Sequence, residues 1–339
     1  MLNKYKLNLQ LFAEMNTNVT TQTGTFNGRS QDLSVENKTH YDMTLIDEAS
    51  PNLIHDQFGQ KRPIPKNGGK KIEFRKFASL PKVLAPLTEG VTPNGQKLAA
   101  SAIEAEVRQY GDYVVLSDVL DLTAIDPIVV EATKVIGRQA GLTLDTITRN
   151  ILHTGKNVYY CPKTGGTAVA SRAGLDNTCK LTVDAIKRTV AFLKKNNAPK
   201  IDGSYVAIIH PYAAYDLMND PEWIEPHKYQ DTSNLYEGEI GKIAGVRFVE
   251  TSEAMIYEGG VFGTLVFGEG AYGVTEITGG GLETIVKQLG SAGVADPLNQ
   301  RSSVGWKAMK TAEILVDPYL VRIEHKTGFA FGDEAIEAN

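Results

Sequence analysis

Apolar residues recur at helical spacing in one long stretch of the chain. From Asp126 to Leu152 they return mostly every three or four positions, which is the period of an amphipathic helix. Asp126 is a preferred N-cap residue, Pro127 suits the first helical position, and Gly155 can end the helix. The pattern predicts a helix over residues 127–153, about 40 Å long at ~1.5 Å per residue. One helix of that length can form the backbone of a domain.

A two-residue alternation marks a different kind of element. Ile72 and Phe74 alternate with charged residues, and so do Ile103, Ala105 and Val107, as expected for two strands. The Pro- and Gly-rich stretch PKVLAPLTEGVTPNGQKL lies between them, and it is far longer than an ordinary hairpin loop of roughly 2 to 5 residues. The pattern predicts a long two-stranded arm that extends from the body. Because an isolated ribbon is marginally stable in water, it needs a partner surface.

The second half of the chain alternates helices with short strands. Thr182 can cap a helix that ends in KKNNAP, YVAIIH is typical of a buried strand, and Pro211 can begin the next helix. Short strands are predicted at VRFVE, TLVFG, YGVTEI and LETIVKQ. This order predicts a compact α/β domain over 181–295. The apolar stretches of 296–339 are too short for a third domain, so we expect them to pair with the long-helix region.

The beginning of the chain has a different composition. Residues 15–40 are rich in Asn, Thr, Gln, Ser and Gly, and such a segment cannot bury enough apolar surface to fold alone. We expect an arm that becomes ordered against neighbouring subunits. Residues 41–58 contain enough apolar positions to anchor that arm, or equally to form a helix packed within its own domain. Asn8 and Gln10 interrupt the first apolar stretch, so a short amphipathic leader is expected rather than a signal peptide, and no stretch is long enough to cross a bilayer.

Charge is mild overall and uneven along the chain. The 35 basic and 40 acidic residues give a formal charge of -5, which argues against a protein that wraps DNA with a strongly basic face. The segment Lys61–Lys82 nevertheless contains eight basic residues and a single acid, Glu73. These charges are either solvated or form a contact surface for another copy of the chain. The residues chosen as candidates for an intersubunit contact are Lys70, Lys71, Arg75, Lys76 and Lys82.

The sequence offers little that resembles catalytic chemistry. Gly268–Gly273 matches GxGxxG after an apolar strand, but β-branched residues and Gly279–Gly281 follow, where a dinucleotide site needs the start of a helix. We predict a turn between strands, with no catalytic residue, cofactor or metal. Cys161 and Cys179 lack the spacing of a zinc site and are expected to be free thiols. The six histidines are scattered, and His210 is expected at a strand-to-helix junction.

The order of these segments resembles the HK97-like α+β fold of tailed-bacteriophage major capsid proteins over essentially the whole chain. The resemblance divides the chain into an N-terminal arm (1–60), an extended loop (61–110), a peripheral domain with the spine helix (111–180), an axial domain (181–295) and a return to the peripheral domain (296–339). The strings LNLQLFAE, GKKIEFRKF, LTEGVTP, QYGDYVVLSD and VAIIHPYAAYDL are similar to those of the family related to the N4-type phage coat protein.

The resemblance implies a non-enzymatic shell subunit. Such subunits assemble in the host cytoplasm into hexamers and pentamers, which form the icosahedral head of the virion around double-stranded DNA that they contact non-specifically. A portal is implied, and a separate scaffolding protein is expected because only about sixty residues precede the extended loop. Lys82 or Lys97 could be suspected of crosslinking, but no partner asparagine can be identified, so that chemistry is not carried over. The alternatives are an encapsulin-like compartment shell and, with less support, a nucleotide-cofactor enzyme using Gly268–Gly273.

Overall fold

The computed structural model of the chain describes residues 20–21, 25–26, 29–30, 54–65, 69–77, 80–87, 89–90, 92, 94–123, 128–227, 241–276, 282–291, 296–329 and 336–339. Its α-helices are α1 (Asp118–Thr123), α2 (Ile128–Leu152), α3 (Val183–Lys195), α4 (Pro211–Met218) and α5 (Pro221–His227). Its strands are β1 (Thr20–Thr21), β2 (Thr25–Phe26), β3 (Arg29–Ser30), β4 (Gln60–Lys61), β5 (Lys71–Phe77), β6 (Ala100–Glu106), β7 (Arg108–Ser117), β8 (Val158–Tyr160), β9 (Tyr205–Ile209), β10 (Lys242–Ile243), β11 (Val246–Glu250), β12 (Ile256–Tyr257), β13 (Val261–Phe267), β14 (Tyr272–Glu276), β15 (Glu283–Lys287), β16 (Arg301–Ile314) and β17 (Leu320–His325).

The chain divides into two compact units. The described residues of 1–49, 110–140 and 282–308 form the first, and those of 50–109, 141–281 and 309–339 form the second. Both units are therefore assembled from segments that are far apart in the sequence. Most of the predicted N-terminal arm, including residues 41–53, lies outside the described residues, whereas Ile54 and Phe58 pack in a buried cluster of the second unit.

The first unit is built on β7, β15 and the first part of β16. β7 lies beside β16 in the sheet and pairs in parallel with β1, while β15 pairs antiparallel with β16 from Glu283 opposite Lys307 to Lys287 opposite Ser303. Leu116, Leu120 and Ile128 form a small buried cluster at the end of β7 and the start of the helices. Burial of these side chains positions α1 and the beginning of α2 in this unit.

A seven-stranded mixed sheet organises the second unit. Its strand order is β10-β11-β9-β13-β17-β8, with β12 paired to β13. β9 is parallel to β11 and antiparallel to β13, β13 is antiparallel to β17, and β17 is parallel to β8. The order of the strands differs from their order in the sequence, so long connections bring them together.

Both faces of this sheet are buried, as the residues of β9 demonstrate. Tyr205, Ala207 and Ile209 point into a cluster that includes α3 and α4 residues, whereas Val206 and Ile208 belong to a cluster on the opposite face. A strand covered on both sides has no solvent-facing positions to fill with polar residues. That is why YVAII is a continuous apolar run, and the prediction of a buried strand here is confirmed.

The helix predictions are confirmed closely. α2 spans Ile128–Leu152, within a residue of the predicted 127–153, although the predicted cap at 126–127 lies outside the described residues. Thr182 accepts a hydrogen bond from the amide of Ala185 at 3.4 Å and caps α3. Gly155, which was expected to end the helix, does not have the left-handed conformation that favours glycine. A Cβ at this position would approach Leu320 Cδ2 to 3.2 Å, so close packing explains the glycine there.

Three strands pair differently from expectation. β14 and β15 were placed with the α/β domain, but each pairs with β16, and β14 also pairs with β4. β17 was expected to return to the long-helix region with β16, but it pairs with β13 and β8 inside the seven-stranded sheet. Apolar runs of similar composition do not reveal their partners, because the hydrophobic pattern fixes which face of a strand is buried and not which strand lies beside it. The named domain boundaries themselves remain a prediction.

Candidate assembly surface

A two-stranded ribbon lies where the alternation predicted it. β5 and β6 pair antiparallel from Lys71 opposite Glu106 to Phe77 opposite Ala100. Ile72 and Phe74 face the same side as Ala105 and Ile103, which are their direct cross-strand partners. Since successive side chains point to opposite faces, the charged residues at alternate positions occupy the other face. The ribbon therefore has one apolar and one charged face.

The positive charges of the charged face are neutralised within the ribbon. On this face β5 contributes Lys71, Glu73 and Arg75, and β6 adds Glu104 and Glu106, so two positive charges meet three negative ones. Lys71 Nζ lies 3.3 Å from Glu104 Oε2, and Arg75 Nε lies 3.5 Å from Glu73 Oε1, all on exposed side chains. The excess of basic residues in Lys61–Lys82 is thus neutralised on the strands by acids that arrive from later in the sequence.

The connection between β5 and β6 exposes large apolar side chains. Their exposed fractions run from 53% for Leu80 to 87% for Leu84. The large apolar residues that are exposed in the described part of this connection are Leu80, Val83, Leu84, Leu87 and Leu98. A group of exposed apolar side chains on one segment is typical of an interaction surface. This feature was not predicted, although the string PKVLAPL carries its signal.

The base of the ribbon is packed against other residues of the second unit, to which the ribbon belongs. Phe74 is buried, and a Cβ on Gly273 would approach its ring atoms to 3.0 Å. The guanidinium of Arg62 lies 5.9 Å from the centroid of the same ring, and Val107 N donates to Lys70 O at 2.9 Å. Among the described residues, these contacts hold the base, while the apolar side chains of the connection remain exposed to another surface.

A cleft opens beside this base. Its volume is about 140 Å³, and it is lined by Gln60, Arg62, Phe74, Arg75, Ile103, Gly270, Leu315 and Val316. Ordinary ligand pockets enclose roughly 300 to 1,000 Å³. The cleft is therefore too small to enclose a typical organic cofactor.

A buried polar cluster joins the segment before the ribbon to α2. His55 N donates to Asp145 Oδ1 at 2.8 Å, and His55 Nδ1 lies 2.7 Å from Asp145 Oδ2. Asp56 accepts from Thr148 Oγ1 at 2.6 Å and pairs with Lys310 Nζ. The histidine–aspartate arrangement has the form of a general-base pair, but both side chains are at most 1% exposed. A substrate cannot reach them, so the pair serves packing.

A second buried cluster surrounds Glu324 on β17. Its carboxylate accepts from Arg172 Nε at 2.7 Å and Nη2 at 2.6 Å, and lies 2.9 Å from Arg322 Nε. The guanidinium of Arg172 also stacks over the Tyr257 ring at 3.5 Å. Two cations around one carboxylate satisfy a charge that would be costly to bury alone. The ion pairs connect β17 to the residues around Arg172.

Burial lowers the pKa of three histidines of the second unit, His153, His210 and His325. Burial lowers the pKa of His325 to about 4, and burial together with His325 lowers that of His210 to about 4. His210 caps α4, because its Nδ1 accepts from Tyr212 N at 3.1 Å. The predicted junction role of His210 is confirmed. Burial and then the charges of nearby arginines also hold the pKa of His153 well below its usual range.

The glycine-rich string forms a turn between two strands. β13 ends at Phe267 and β14 begins at Tyr272, and Gly270 between them has φ +70°, which favours glycine. A Cβ at Gly268 would approach Pro199 O to 2.4 Å. The predicted strand turn is confirmed. The helix that would direct its amides at a pyrophosphate is replaced by β14.

The residues predicted to contact another subunit lie at different points along the ribbon and its connection. Lys70 and Lys71 lie at the start of the ribbon, Arg75 further along β5, and Lys82 in the connection. The side chain of Lys76 lies outside the described residues. Their role as contact residues stays a prediction. Cys161 and Cys179 are both buried and free, as expected, and burial followed by the nearby Cys179 raises the pKa of Cys161.

Searches for two other kinds of site gave negative results over the residues that the structure describes. No group of His, Cys, Asp and Glu there is arranged to hold a metal ion. Within the same residues, no helix combines the length and hydropathy needed to span a membrane.

Comparison with known proteins identifies the fold. The model of a family described as phage capsid protein matches residues 128–266, and no curated protein matches the chain. Among solved structures, the capsid of the cyanophage P-SCSP1u is 14% identical with a TM-score of 0.66, covering 90% of this chain and 98% of that one.

Two further structures give the same result. The capsid of cyanophage Pam1 is 12% identical with a TM-score of 0.63, covering 97% of this chain and 100% of that one. The SrpI encapsulin of Synechococcus elongatus is 10% identical with a TM-score of 0.57, covering 91% and 100%. The predicted architecture is confirmed: this chain has the HK97-like α+β fold of phage capsid proteins.

Proposed function

We propose that this chain is the major capsid protein of a tailed phage, of the N4-type group, and that its copies assemble into the hexamers and pentamers of an icosahedral head. The observation that carries the proposal is the ribbon, whose connection leaves Leu84, Leu87 and other apolar side chains in water in the single chain. Burial of such surface against another copy releases about 25 cal/mol per Å². The family match at 128–266 and the fold support the same role.

The ribbon is proposed to bind a neighbouring subunit, with Lys70, Lys71, Arg75, Lys76 and Lys82 at the contact. Exposed ion pairs contribute only about 0 to 1 kcal/mol each, and Lys71 and Arg75 already have partners within the ribbon. The apolar connection therefore supplies affinity, and the charges select the correct partner surface. The sequence predicted a contact made by charges, and the proposal adds the apolar connection to it.

The proposal includes further partners. We expect the shell to form in the host cytoplasm with a separate scaffolding protein and a portal, and to become part of the virion around double-stranded DNA. The chain's formal charge of -5 favours weak, non-specific contacts with that DNA over tight binding. The fold and the family match point to a structural protein, and we expect no enzymatic activity.

An encapsulin-like compartment shell is the second candidate, because the chain also shares its fold with the SrpI encapsulin. Particle contents distinguish the two. Double-stranded DNA inside particles supports the capsid, whereas a cargo enzyme in its place supports the compartment. Micromolar binding of NAD or ATP, lost in Gly270→Ala, would instead favour the enzyme reading of the glycine-rich string.

The first test of the proposal is assembly of the full chain, with and without phage scaffolding protein, followed by negative-stain imaging. Closed shells are expected. A variant with Lys70, Lys71, Arg75 and Lys76 all replaced by Glu should melt within a few degrees of wild type, yet give a sharply lower shell yield. High salt should weaken wild-type assembly in the same direction, since exposed charges are screened beyond about 10 Å.

A matched variant separates the ribbon from net charge. It carries the same number of charge reversals to Glu at exposed positions elsewhere, namely Lys156, Lys195, Lys200 and Lys242. Its shell yield should stay well above that of the ribbon variant. Equal losses in both would show that the net charge, and not the ribbon, controls assembly. Normal assembly of the ribbon variant with poor DNA packaging would mean that the ribbon faces the genome.

Truncation of residues 1–40 tests the proposed arm. Because the composition of this segment gives it no core, the truncated chain should fold with a nearly unchanged melting temperature while its shells become unstable. Circular dichroism and imaging measure the two effects. A truncated chain that unfolds would place the segment in the core.

A further inference from the structure

Residues 336–339 lie against the backbone of β12 and the residues before it. Asn339 Oδ1 accepts from Ile256 N at 2.9 Å, while Asn339 Nδ2 donates to Ala254 O at 3.1 Å. The backbone amide of Asn339 donates to Ile256 O at 3.2 Å. A side-chain carboxamide combines one acceptor with donors in a fixed plane. The amide of Ile256 is the donor and the carbonyl of Ala254 the acceptor that the two halves of this group need.

A buried arginine completes the contact. Arg149, near the end of α2, is 2% exposed. Its Nη2 donates to Asn339 O at 3.2 Å, and its Nη1 donates to Glu253 O at 2.9 Å. A buried guanidinium needs acceptors for its N–H groups, because leaving them unpaired is costly. One cation therefore joins the long helix, the segment before β12 and Asn339.

The other end of this short segment also has a defined place. The side chain of Ile336 lies beside Gly260, where a built Cβ would be 3.7 Å from Ile336 Cβ. Ala254 and Ile256 are themselves buried. The segment is thus held at both ends, by an apolar contact at Ile336 and by four hydrogen bonds at Asn339.

We propose that residues 253–260 and Arg149 form a binding site for an asparagine carboxamide, which residues 336–339 of the same chain occupy as an intrachain latch. The site selects Asn by chemistry. Aspartate has no donor for Ala254 O, and glutamine is longer by one methylene group and shifts the carboxamide away from Ile256 N. This inference does not depend on the shell function, because the site lies within one chain.

Hydrogen exchange of the full chain, measured by mass spectrometry on peptides covering 253–260, tests the latch. In Asn339→Ala the amide of Ile256 loses its acceptor, so exchange of this region should become roughly fivefold to tenfold faster, as expected for the loss of one to two hydrogen bonds. Asn339→Asp should give a similar increase. Glu337→Ala, two residues away at an exposed position, is the matched control and should exchange like wild type.

Arg149→Lys provides an independent variant. A lysine keeps the charge but cannot donate to Glu253 O and Asn339 O in the same geometry, so the region should again exchange faster. Adding Asn339→Ala to it should accelerate exchange little further, because both changes release the same segment, residues 336–339. Unchanged exchange in Asn339→Ala would overturn the site, and so would equal acceleration in Glu337→Ala. Protection that disappears on dilution of the wild-type chain would assign the occupant to a second copy and overturn the intrachain latch.

Discussion

The seven-stranded sheet and the ribbon are both β structures, but they use their side chains in opposite ways. In the sheet, β9 and β13 are buried along their whole length, and its buried charges, such as Glu324, are paired. In the ribbon, only Phe74 and its neighbours at the base are buried, while the connection leaves Leu84 87% exposed. Mutations should therefore separate folding of the chain from its association.

The reason for the difference is where each element finds its partner surface. Helices α3 and α4 cover one face of the sheet and residues such as Leu152 and Tyr272 the other, so the chain satisfies the sheet by itself. A two-stranded ribbon has too little surface to do so. Its exposed apolar connection therefore needs another surface to cover it.

The largest expected effect is a cavity in the sheet. Ile208→Ala removes a buried side chain from the cluster on the sheet face opposite α3 and α4 and should lower the free energy of unfolding by about 2 to 5 kcal/mol. Leu84→Ala in the connection should change it by less than about 0.5 kcal/mol. Urea denaturation of both variants measures the contrast. Comparable losses of stability would show that the connection is part of the folded core.

An intermediate effect should come from His325. Its Nδ1 donates to Lys326 O at 3.1 Å, so its Nε2 accepts from Thr264 Oγ1 at 2.9 Å in the neutral ring. The pKa of about 4 lies below the ordinary value near 6.5, so the unfolded chain binds the proton more readily. The contribution of the neutral His325 to the free energy of unfolding is fully present above pH ~6.5. It is lost as the pH falls towards 4, by up to about 1.4 kcal/mol per pH unit.

Denaturation at several pH values measures this slope. His325→Gln should reduce the slope of stability against pH by up to about 1.4 kcal/mol per pH unit between pH 6.5 and 4. The slope that remains arises from other groups such as His210. Thr264→Val is the control, because it removes the hydroxyl partner but keeps the titrating ring. A slope identical in wild type and His325→Gln would contradict a neutral buried histidine.

The smallest effect on folding is expected on the charged face of the ribbon. Lys71→Ala removes the 3.3 Å ion pair with Glu104, in which both side chains are 67% exposed. The free energy of unfolding should fall by no more than about 1 kcal/mol. If the ribbon binds a neighbour, the same variant should lower shell yield more than Lys200→Ala, which changes another exposed lysine. Thermal melting and particle counting give the two readouts. A large drop in melting temperature would place Lys71 in a folding role.

Local patterns were sufficient for several elements. The 3.6-residue period predicted α2 to within a residue at each end, and Thr182 and His210 lie at the helix starts where they were expected. Capping and periodicity involve neighbours within about four residues, so the sequence displays them directly. The ribbon was also predicted, because alternation over two strands does not depend on distant contacts.

Features made by distant residues could not be anticipated. The His55–Asp145 pair joins positions 90 residues apart, and neither residue has a local signal for the other. The charge of the ribbon was misjudged in the same way. Counting Lys61–Lys82 alone gave a basic segment, but Glu104 and Glu106 neutralise β5 only because β6 pairs with it.

The sequence by itself determined the local structure of this protein and the order of its segments. Tertiary structure alone decided that β17 lies between β13 and β8, that β14 and β15 pair with β16, and that Asn339 reaches Arg149. The physical reason is that helical and strand periodicity report which side of an element is buried. They contain no information on which of several apolar surfaces covers it, since the hydrophobic effect is non-directional.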